Sequence, residues 1–435
     1  MAKKMLFLFV LLLSLTGMLK AQVTTAGMSG KVVADEEAVI GATVVAVHEP
    51  SGTSYGAVTN IDGRFSLQGM RSGGPYKVTV SYVGYQTAIY TGIQLQLGET
   101  YSLNVTLHEA SELLGEITIT ASKSKFSAEK TGATTNVSSE QLTTLPSINR
   151  SISDFTRISP YASGNNFGGR DGRSNTFTVD GANLNNNFGL SSNLPGGGNP
   201  ISLDAIDEVQ VVIAPYDVRQ ANFIGAGINA ITKSGTNAYR GSAYMYFNNE
   251  VMRGNKIGNT DFGARAEESK TVYGATLGGP IIKDKLFFFA NVEYEKSPQQ
   301  VVKWRAAQEG ETPNNSTISR ATAADMVEFS QILKDKYGYD TGSFTNFPAN
   351  ITNLKLLGRI DWNIDKGNKL SVRYNFTNNK TWNAPNGSSG NTGYRLAYDR
   401  VSQYSMSYAN SCYSLQNIVN SVTAELNSRF TSAIS

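Results

Sequence analysis

The sequence predicts a mainly β protein with an N-terminal β-sandwich, a small α/β domain and the first, incomplete part of a transmembrane antiparallel β-barrel. Three observations lead to this fold class. The chain's 42 glycines and 21 tyrosines occur with little helical periodicity. Short apolar runs separated by turn residues fill residues 22–110, as in a sandwich. From residue 239 onward, strands of about ten residues alternate apolar and polar side chains, the pattern of membrane barrels.

The composition argues against nucleic-acid binding, metal binding and Cys/His catalysis. The 435 residues carry a formal net charge of +3, too little for the basic face of a nucleic-acid binder. One cysteine, Cys412, cannot form an internal disulfide, and the two histidines, His48 and His108, are distant in the sequence. The chain therefore has too few of these residues to favour a Cys/His metal site or a Cys/His catalytic pair. Since no catalytic constellation occurs either, we predict neither an enzyme nor a cofactor or metal.

The N-terminus has the pattern of a secretion signal. Two lysines precede an apolar run from Met5 to Leu19. That run falls short of the about 20 residues that span a bilayer as a helix, which argues against a membrane anchor. A small residue, Ala21, precedes Gln22. We therefore predict a signal peptide over residues 1–21, cleaved between Ala21 and Gln22.

Residues 22–110 contain short apolar runs such as IGATVVAV and YKVTVSYVGY, separated by the turn segments NIDG, RSGGP and LGET. This spacing predicts a β-sandwich rather than βαβ units. The turn Asn60–Gly63 carries oxygen ligands, but it lacks the closing glutamate of an EF-hand calcium loop. We therefore predict a plain hairpin turn.

Residues 111–125 join the sandwich to the next domain. Within them, Glu116–Ala121 alternates like a β-strand, since Ile117 and Ile119 point one way while Thr118 and Thr120 point the other. The polar segment that follows has almost nothing to bury. Two interpretations stay open at this point: the strand belongs to the sandwich, or it pairs with the sheet of another protein.

Residues 126–238 predict a compact α/β domain with long polar loops. Helical spacing is weak over residues 142–155, and a Gly- and Asn-rich stretch surrounds the strand NTFTVDG. Low-complexity disorder is the alternative for that stretch. Against it stand the apolar side chains of a small mixed core, namely Phe177, Val179, Val209, Val211, Ile213, Ile224 and Ile228.

Residues 239–435 predict the first ~6 strands of a barrel, near 241–249, 270–279, 286–295, 353–363, 369–378 and 418–430. A soluble sandwich alternates in the same way, so we also consider the connections. Tight turns at 281–285 and 365–368 alternate with two long loops, as in outer-membrane barrels with a periplasmic short side. Because closure takes at least about eight strands, we predict an open sheet with an unpaired edge at Val422–Phe430.

Several segments together resemble one family. Residues 41–87 resemble the carboxypeptidase-regulatory-like, transthyretin-like module that precedes Bacteroidota outer-membrane receptors. LLGEITITAS, NTFTVDGANLNNNFG and, most specifically, TVYGATLGGPIIKDKLFFFANVEYEK resemble TonB-dependent outer-membrane receptors of the Oar-like branch. The resemblance covers nearly the whole chain and implies that the chain is truncated within the barrel.

This resemblance implies a plug domain, residues 126–238, inside a barrel of about 22 strands in the outer membrane of a Gram-negative bacterium. It implies that Glu116–Ala121 is the TonB box, which pairs with the sheet edge of TonB by β-augmentation. Five plug charges would face the lumen through hydrated contacts, each of little energy: Arg170, Arg173, Asp180, Glu208 and Arg219.

The expected function is import of a peptide, protein or glycan ligand by TonB-driven plug movement. The implied partners are TonB with the inner-membrane energising complex, outer-membrane lipid and an unknown extracellular ligand, with a surface lipoprotein as a candidate companion. Alternatives are a surface adhesion protein that imports nothing and a non-functional truncated receptor. Deleting Glu116–Ala121 discriminates import from adhesion, because only import needs this segment.

Overall fold

The structure is a computed structural model that describes residues 23–109, 117–120, 133–147, 150–185, 194, 199–215, 217, 220–261, 268–302, 304–314, 318–345, 347–385, 403–404 and 406–428. The predicted signal peptide and its cleavage site at Ala21 and Gln22 lie outside these ranges. Of the predicted TonB box, the described residues are Ile117–Thr120.

The N-terminal domain is a sandwich of two sheets, with strands β1 (Ala26–Ala34), β2 (Glu37–Ala38), β3 (Thr43–His48), β4 (Thr53–Val58), β5 (Arg64–Met70), β6 (Gly73–Ser81), β7 (Ala88–Leu95), β8 (Thr100–Ser102), β9 (Val105–Thr106) and β10 (Ile117–Thr120). In one sheet β1 lies between β2 and β5 and also pairs with β8 and β9. The other has the order β10-β7-β6-β3-β4. Between them lies an apolar core that includes Met28, Val44 and Tyr76, all inaccessible to solvent. The predicted sandwich is therefore present.

The plug domain contains β11 (Thr134–Ser138), α1 (Ser139–Thr144), α2 (Ile152–Thr156), β12 (Ala162–Ser163), β13 (Asn166–Phe167), β14 (Thr176–Val179), β15 (Ala182–Asn183), β16 (Ile206–Val212) and β17 (Gly227–Thr232), with 3₁₀ turns at Gly172–Ser174 and Leu203–Ala205. Its main sheet has the order β11-β16-β17-β14-β15. Two short helices replace the single weak helix predicted over 142–155. Pro146 cannot continue the first helix, and a capping box at Ser151 begins the second.

The predicted plug core is largely correct. Phe177, Val179, Val209, Val211 and Ile228 are buried together, and Ile213 packs against them. The prediction is wrong for Ile224, which is 69% exposed. Ile224 lies in the loop before β17, where no strand alternation directs its side chain toward the core.

The C-terminal sheet has six antiparallel strands, β18 (Arg240–Asn249), β21 (Ser269–Ile282), β22 (Leu286–Gln300), β25 (Pro348–Asn363), β26 (Asn368–Asn383) and β27 (Tyr413–Ser428), paired in this order. All six predicted strands are present, and most are longer than predicted. The sheet is open, with β18 and β27 at its edges, so the predicted unpaired edge is confirmed as far as Ser428. Phe430 lies outside the described residues.

This sheet inverts the burial pattern of a soluble protein. In β26, Arg373 and Asn375 are only 5% and 7% exposed, whereas Val372 and Tyr374 are 38% and 42% exposed. The polar face lies against the plug, and the apolar face is left for lipid. This is the arrangement expected of barrel strands around a plug.

Further elements lie in the connections between the long strands: a 3₁₀ turn at Glu250–Arg253, β19 (Lys256–Ile257), β20 (Thr260–Asp261), β23 (Arg305–Ala307), β24 (Ile318–Thr322), α3 (Ala323–Tyr337) and a 3₁₀ turn at Ala409–Ser411. The two longest connections pack on each other, since Arg320 N donates to Gln403 O (2.7 Å) and Ala409 N donates to Ser343 O (2.8 Å). None of the helices in the described ranges has both the length and the apolarity to cross a bilayer.

Candidate functional site

The plug meets the barrel wall at Asp180, which follows β14 in the turn Asp180-Gly181. Both turn residues have positive φ, 49° and 81°. Asp tolerates this conformation better than most residues, and an Asp-Gly pair is typical of a tight hairpin. The carboxylate accepts hydrogen bonds from the Thr232 backbone N (3.0 Å) and the Thr232 hydroxyl (2.6 Å) of β17. The turn therefore holds a buried carboxylate at the end of the plug sheet.

Two arginines of the barrel wall face this carboxylate. Arg359 Nη1 lies 3.8 Å from Asp180 Oδ1, and Arg373 Nε lies 3.6 Å from the same atom. Arg359 Nη1 also donates to the backbone oxygen of Thr232 (2.5 Å). The wall thus contacts the plug sheet at two adjacent places, at Asp180 after β14 and at Thr232 at the end of β17.

The two arginines are direct cross-strand partners on β25 and β26. Like charges opposite each other are destabilising unless they are compensated. Here Asp361 accepts from Arg359 Nε (2.8 Å) and Glu425 accepts from Arg373 Nη1 (2.8 Å). We call five residues together the lumen charge cluster: Asp180, Arg359, Asp361, Arg373 and Glu425. Both arginines of this cluster are less than 10% exposed.

A second polar contact joins plug and wall farther along the strands. Glu293 accepts hydrogen bonds from Ser202 Oγ of the plug and from Tyr244 OH (both 2.9 Å). Lys355, its direct partner on β25, donates to Glu293 at 2.8 Å. Nearby, Thr377 Oγ1 donates to the backbone oxygen of Pro200 (2.7 Å). Every charge at this contact is therefore paired inside the protein.

These contacts correct the expectation of hydrated, individually weak plug–wall pairs. Asp180, Glu293 and Lys355 are 3%, 3% and 1% exposed. Phe289 and Leu357 of the wall even join the apolar core of the plug. Removing one member of such a dry pair costs several kcal/mol, roughly 3–5, rather than the roughly 0–1 kcal/mol of a surface pair.

The five predicted plug charges have different environments. Asp180 faces the wall as described. Arg170 and Arg173 are exposed, and Arg173 pairs with Asp171 of the plug itself (2.8 Å). Glu208 faces the sandwich instead of the barrel, and Arg219 lies outside the described residues.

The alternation placed four barrel residues on polar strand faces, but the sequence did not single them out as site residues: Glu293, Lys355, Arg359 and Arg373. A stronger signal was present. Arg359 and Arg373 are equidistant from the tight turn between β25 and β26, so an antiparallel hairpin brings them together.

The segment Ile117–Thr120 forms β10, a strand parallel to β7 of the sandwich, with Ile117 opposite Ala88 and Thr120 opposite Thr91. It lies at the end of its sheet and has no second neighbouring strand in the described part of the chain. This corresponds to one of the two interpretations left open by the sequence. It does not test whether the same strand is also the TonB box, and Glu116 and Ala121 lie outside the described residues.

Glu208 is the buried acid between plug and sandwich. Its two carboxylate oxygens accept from the Leu97 backbone N at 3.0 and 3.1 Å. Burial raises the pKa of Glu208 from 4.5 to about 8, the hydrogen bond from Leu97 opposes this shift, and repulsion from Asp207 and Glu99 adds to it. At neutral pH the Glu208 carboxyl group is therefore protonated in most molecules.

This pKa predicts a loss of stability at alkaline pH. Between pH 4.5 and 8 the folded state holds a proton on Glu208 that the unfolded state has released, so folding becomes less favourable as pH rises through this window. We expect hydrogen exchange in residues 206–212, corrected for its intrinsic pH dependence, to speed up between pH 6 and 9. Glu208→Gln should reduce this increase, and the part that remains should come from Asp207, whose pKa burial also raises. Glu140→Gln, at an exposed site on α1, should retain the full increase. An equal pH response in both variants would contradict the assignment.

Two family models match the chain. The carboxypeptidase regulatory-like domain matches residues 27–108, which run from the second residue of β1 through β9. The outer membrane beta barrel domain matches residues 231–434, which include all six long strands.

A relative extends the match beyond these domains. The TonB-dependent transporter Oar of Myxococcus xanthus is 25% identical over 347 residues, which is 74% of this chain. The chain is thus similar to a TonB-dependent transporter over most of its length. It spans about 30% of the length of Oar. The outer membrane beta barrel match and this relative support an outer-membrane location for the chain.

Two solved outer-membrane protein structures also resemble part of this chain. The outer membrane transporter YddB of Escherichia coli is 12% identical, with a TM-score of 0.41, and the match covers 68% of this chain and 37% of YddB. The siderophore receptor PirA of Pseudomonas aeruginosa is 15% identical, with a TM-score of 0.35, and covers 58% and 38%.

Proposed function

We propose that the receptor imports a ligand across the outer membrane by TonB-driven movement of the plug. The observation that carries this proposal is the separate plug sheet, held against the barrel wall by the lumen charge cluster. Among the described residues the plug sheet shares no strand pairing with the six-stranded sheet, so it can be displaced without breaking the backbone hydrogen bonds of the wall. The outer membrane holds neither ATP nor an ion gradient, so the work must come through a protein contact.

That contact is the segment Glu116–Ala121, acting as the TonB box. Its described part, β10, is already extended and lies at a sheet edge. An extended edge strand is suited to β-augmentation, in which backbone hydrogen bonds provide the grip on the edge of TonB's sheet. TonB, with the inner-membrane energising complex, is the partner that we assign to it.

The ligand class that we propose is a peptide, a protein or a glycan. The two longest connections form a folded lobe in which Tyr408 packs against Phe329 and Phe344. Two apolar side chains of α3, Val327 and Phe329, are nevertheless 59% and 53% exposed. Exposed aromatic and apolar side chains among polar loops suit a large, chemically mixed ligand. A surface lipoprotein would bind at the same side.

We expect that deleting Glu116–Ala121 abolishes import, because the segment that binds TonB is lost. The lobe that we assign to ligand binding is left unchanged. Cells should no longer accumulate labelled peptide or glycan pools, and their outer membranes should no longer capture the purified periplasmic domain of TonB. Binding of the same pools to the cell surface should persist. Unchanged accumulation after the deletion would favour a surface adhesion protein.

A finer comparison separates strand pairing from linker length. Ile119→Pro removes a backbone donor within β10, which proline cannot replace. Ser124→Pro makes the same change five residues later, outside this strand. Capture of TonB should be lost in the first variant and kept in the second.

A further inference from the structure

The sandwich is attached to the end of the barrel sheet that carries the short turns. Asn237 N, just before β18, donates to Pro50 O (2.8 Å). Asn363 Nδ2, at the end of β25, donates to Thr53 Oγ1 (3.0 Å), which belongs to a buried hydroxyl and imidazole network in the sandwich. In a receptor these short turns face the periplasm, so the sandwich lies at the periplasmic mouth.

A cation of the barrel strengthens this attachment. Lys369, the second residue of β26, lies 3.3 Å from the centre of the Tyr55 ring and donates to Ser54 O (3.3 Å). Tyr55 is only 6% exposed, so the contact is largely desolvated. Cation–π contacts are strongest when desolvated.

Arg71 of the sandwich reaches both the plug and the wall. Its Nη1 donates to Ser234 Oγ, just after the last plug strand, at 2.9 Å. Its Nη2 lies 3.8 Å from Asp361, the carboxylate that holds Arg359. Arg359 in turn donates to Thr232 of the plug. The sandwich is therefore linked to the lumen charge cluster through a shared carboxylate.

The sandwich also covers one face of the plug sheet. In β16 the alternate residues Val209 and Val211 enter the plug core, whereas Glu208 and Gln210 bind the backbone of Leu97. The Leu97 side chain is fully buried in a small apolar cluster with Val23 and with Ile231 of β17. A face that would otherwise meet the periplasm is thus buried by the sandwich.

We propose that the sandwich is a clamp that holds the plug in place by binding the plug sheet and the periplasmic rim of the barrel at once. The clamp is a property of the resting receptor and goes beyond the import proposal. Only its consequence rests on that proposal: because β10 is hydrogen-bonded to β7, a pull on β10 reaches the clamp directly, and the clamp opens before the plug moves.

The test is hydrogen exchange of the purified receptor in detergent, without ligand or TonB. Arg71→Gln removes the link to Ser234 and Asp361. Exchange in the plug strands 206–212 and 227–232 should become about tenfold faster, as expected for the loss of a hydrogen bond from a charged group. Exchange in the sandwich strands 43–48 and 76–81 should stay unchanged. The matched control is Arg64→Gln, an exposed arginine of the same domain, which should alter neither region.

A reversible cross-link tests the opposite direction. Thr53→Cys with Asn363→Cys, in a Cys412→Ser background, allows a disulfide between sandwich and rim. Plug exchange should be several-fold slower in the oxidised than in the reduced protein. Equal rates, or plug exchange in Arg71→Gln equal to that in Arg64→Gln, would overturn the clamp. Since neither measurement involves transport, a receptor that imports nothing leaves both results interpretable, and a failed clamp leaves import untouched.

Discussion

Asp180→Ala is expected to loosen the plug by about 3–5 kcal/mol, the usual cost of removing one partner from a buried ion pair. The variant leaves Arg359 and Arg373 opposite each other with one carboxylate fewer between them. It also removes both hydrogen bonds to Thr232. The residue's φ of 49° adds strain, because alanine tolerates positive φ poorly. Hydrogen exchange in residues 227–232, expressed as an opening free energy, measures the loss.

The matched control is Asp171→Ala in the same domain. Asp171 also pairs with an arginine, Arg173, but its side chain is 55% exposed. Exposed pairs contribute about 0–1 kcal/mol, so we expect little change in the same peptides. If the two variants lowered the opening free energy equally, the lumen charge cluster would not hold the plug.

Glu293→Gln is expected to destabilise the barrel sheet by a similar amount, about 3–5 kcal/mol. Lys355 is 1% exposed and would keep its charge without a carboxylate partner. Ser202 and Tyr244 would lose an ionic acceptor as well. The measurement is the urea midpoint of unfolding for the receptor in lipid bilayers.

Glu295→Gln is the control, because Glu295 lies two residues along the same strand and face and pairs with Lys270, a partner that is 29% exposed. Its effect should be near 1 kcal/mol or less. The double variant Glu293→Gln/Lys355→Met should recover much of the loss, since it removes the stranded charge. A double variant as unstable as the sum of the two single variants would contradict this account.

The strands were predictable from local pattern. Successive side chains of a strand point to opposite faces, so the sequence alone assigns Val372 and Tyr374 to one face of β26 and Arg373 and Asn375 to the other. The two tight turns then predicted that β21 pairs with β22 and β25 with β26, which the structure confirms. The same reasoning failed at Ile224, because a loop has no such periodicity.

The partners of the polar faces were not predictable in this way. Asp180 and Glu208 are both acidic residues of the plug, and both were expected to face the lumen. Asp180 meets the barrel wall, whereas Glu208 meets the sandwich through Leu97, 111 residues away in the chain. Alternation shows that a face is polar, but it does not show whether water, the wall or another domain covers it.

The sequence by itself determined the six long strands and the faces of those strands, because these depend on residues close together in the chain. Only the tertiary structure decided which charges are desolvated and what they bind. Arg359 reaches Thr232 across 127 residues, and Arg71 reaches Ser234 across 163. Contacts between residues so far apart in the chain depend on how whole domains pack. Where this packing excludes water, the electrostatic attraction between opposite charges is stronger, and it can hold the plug in place.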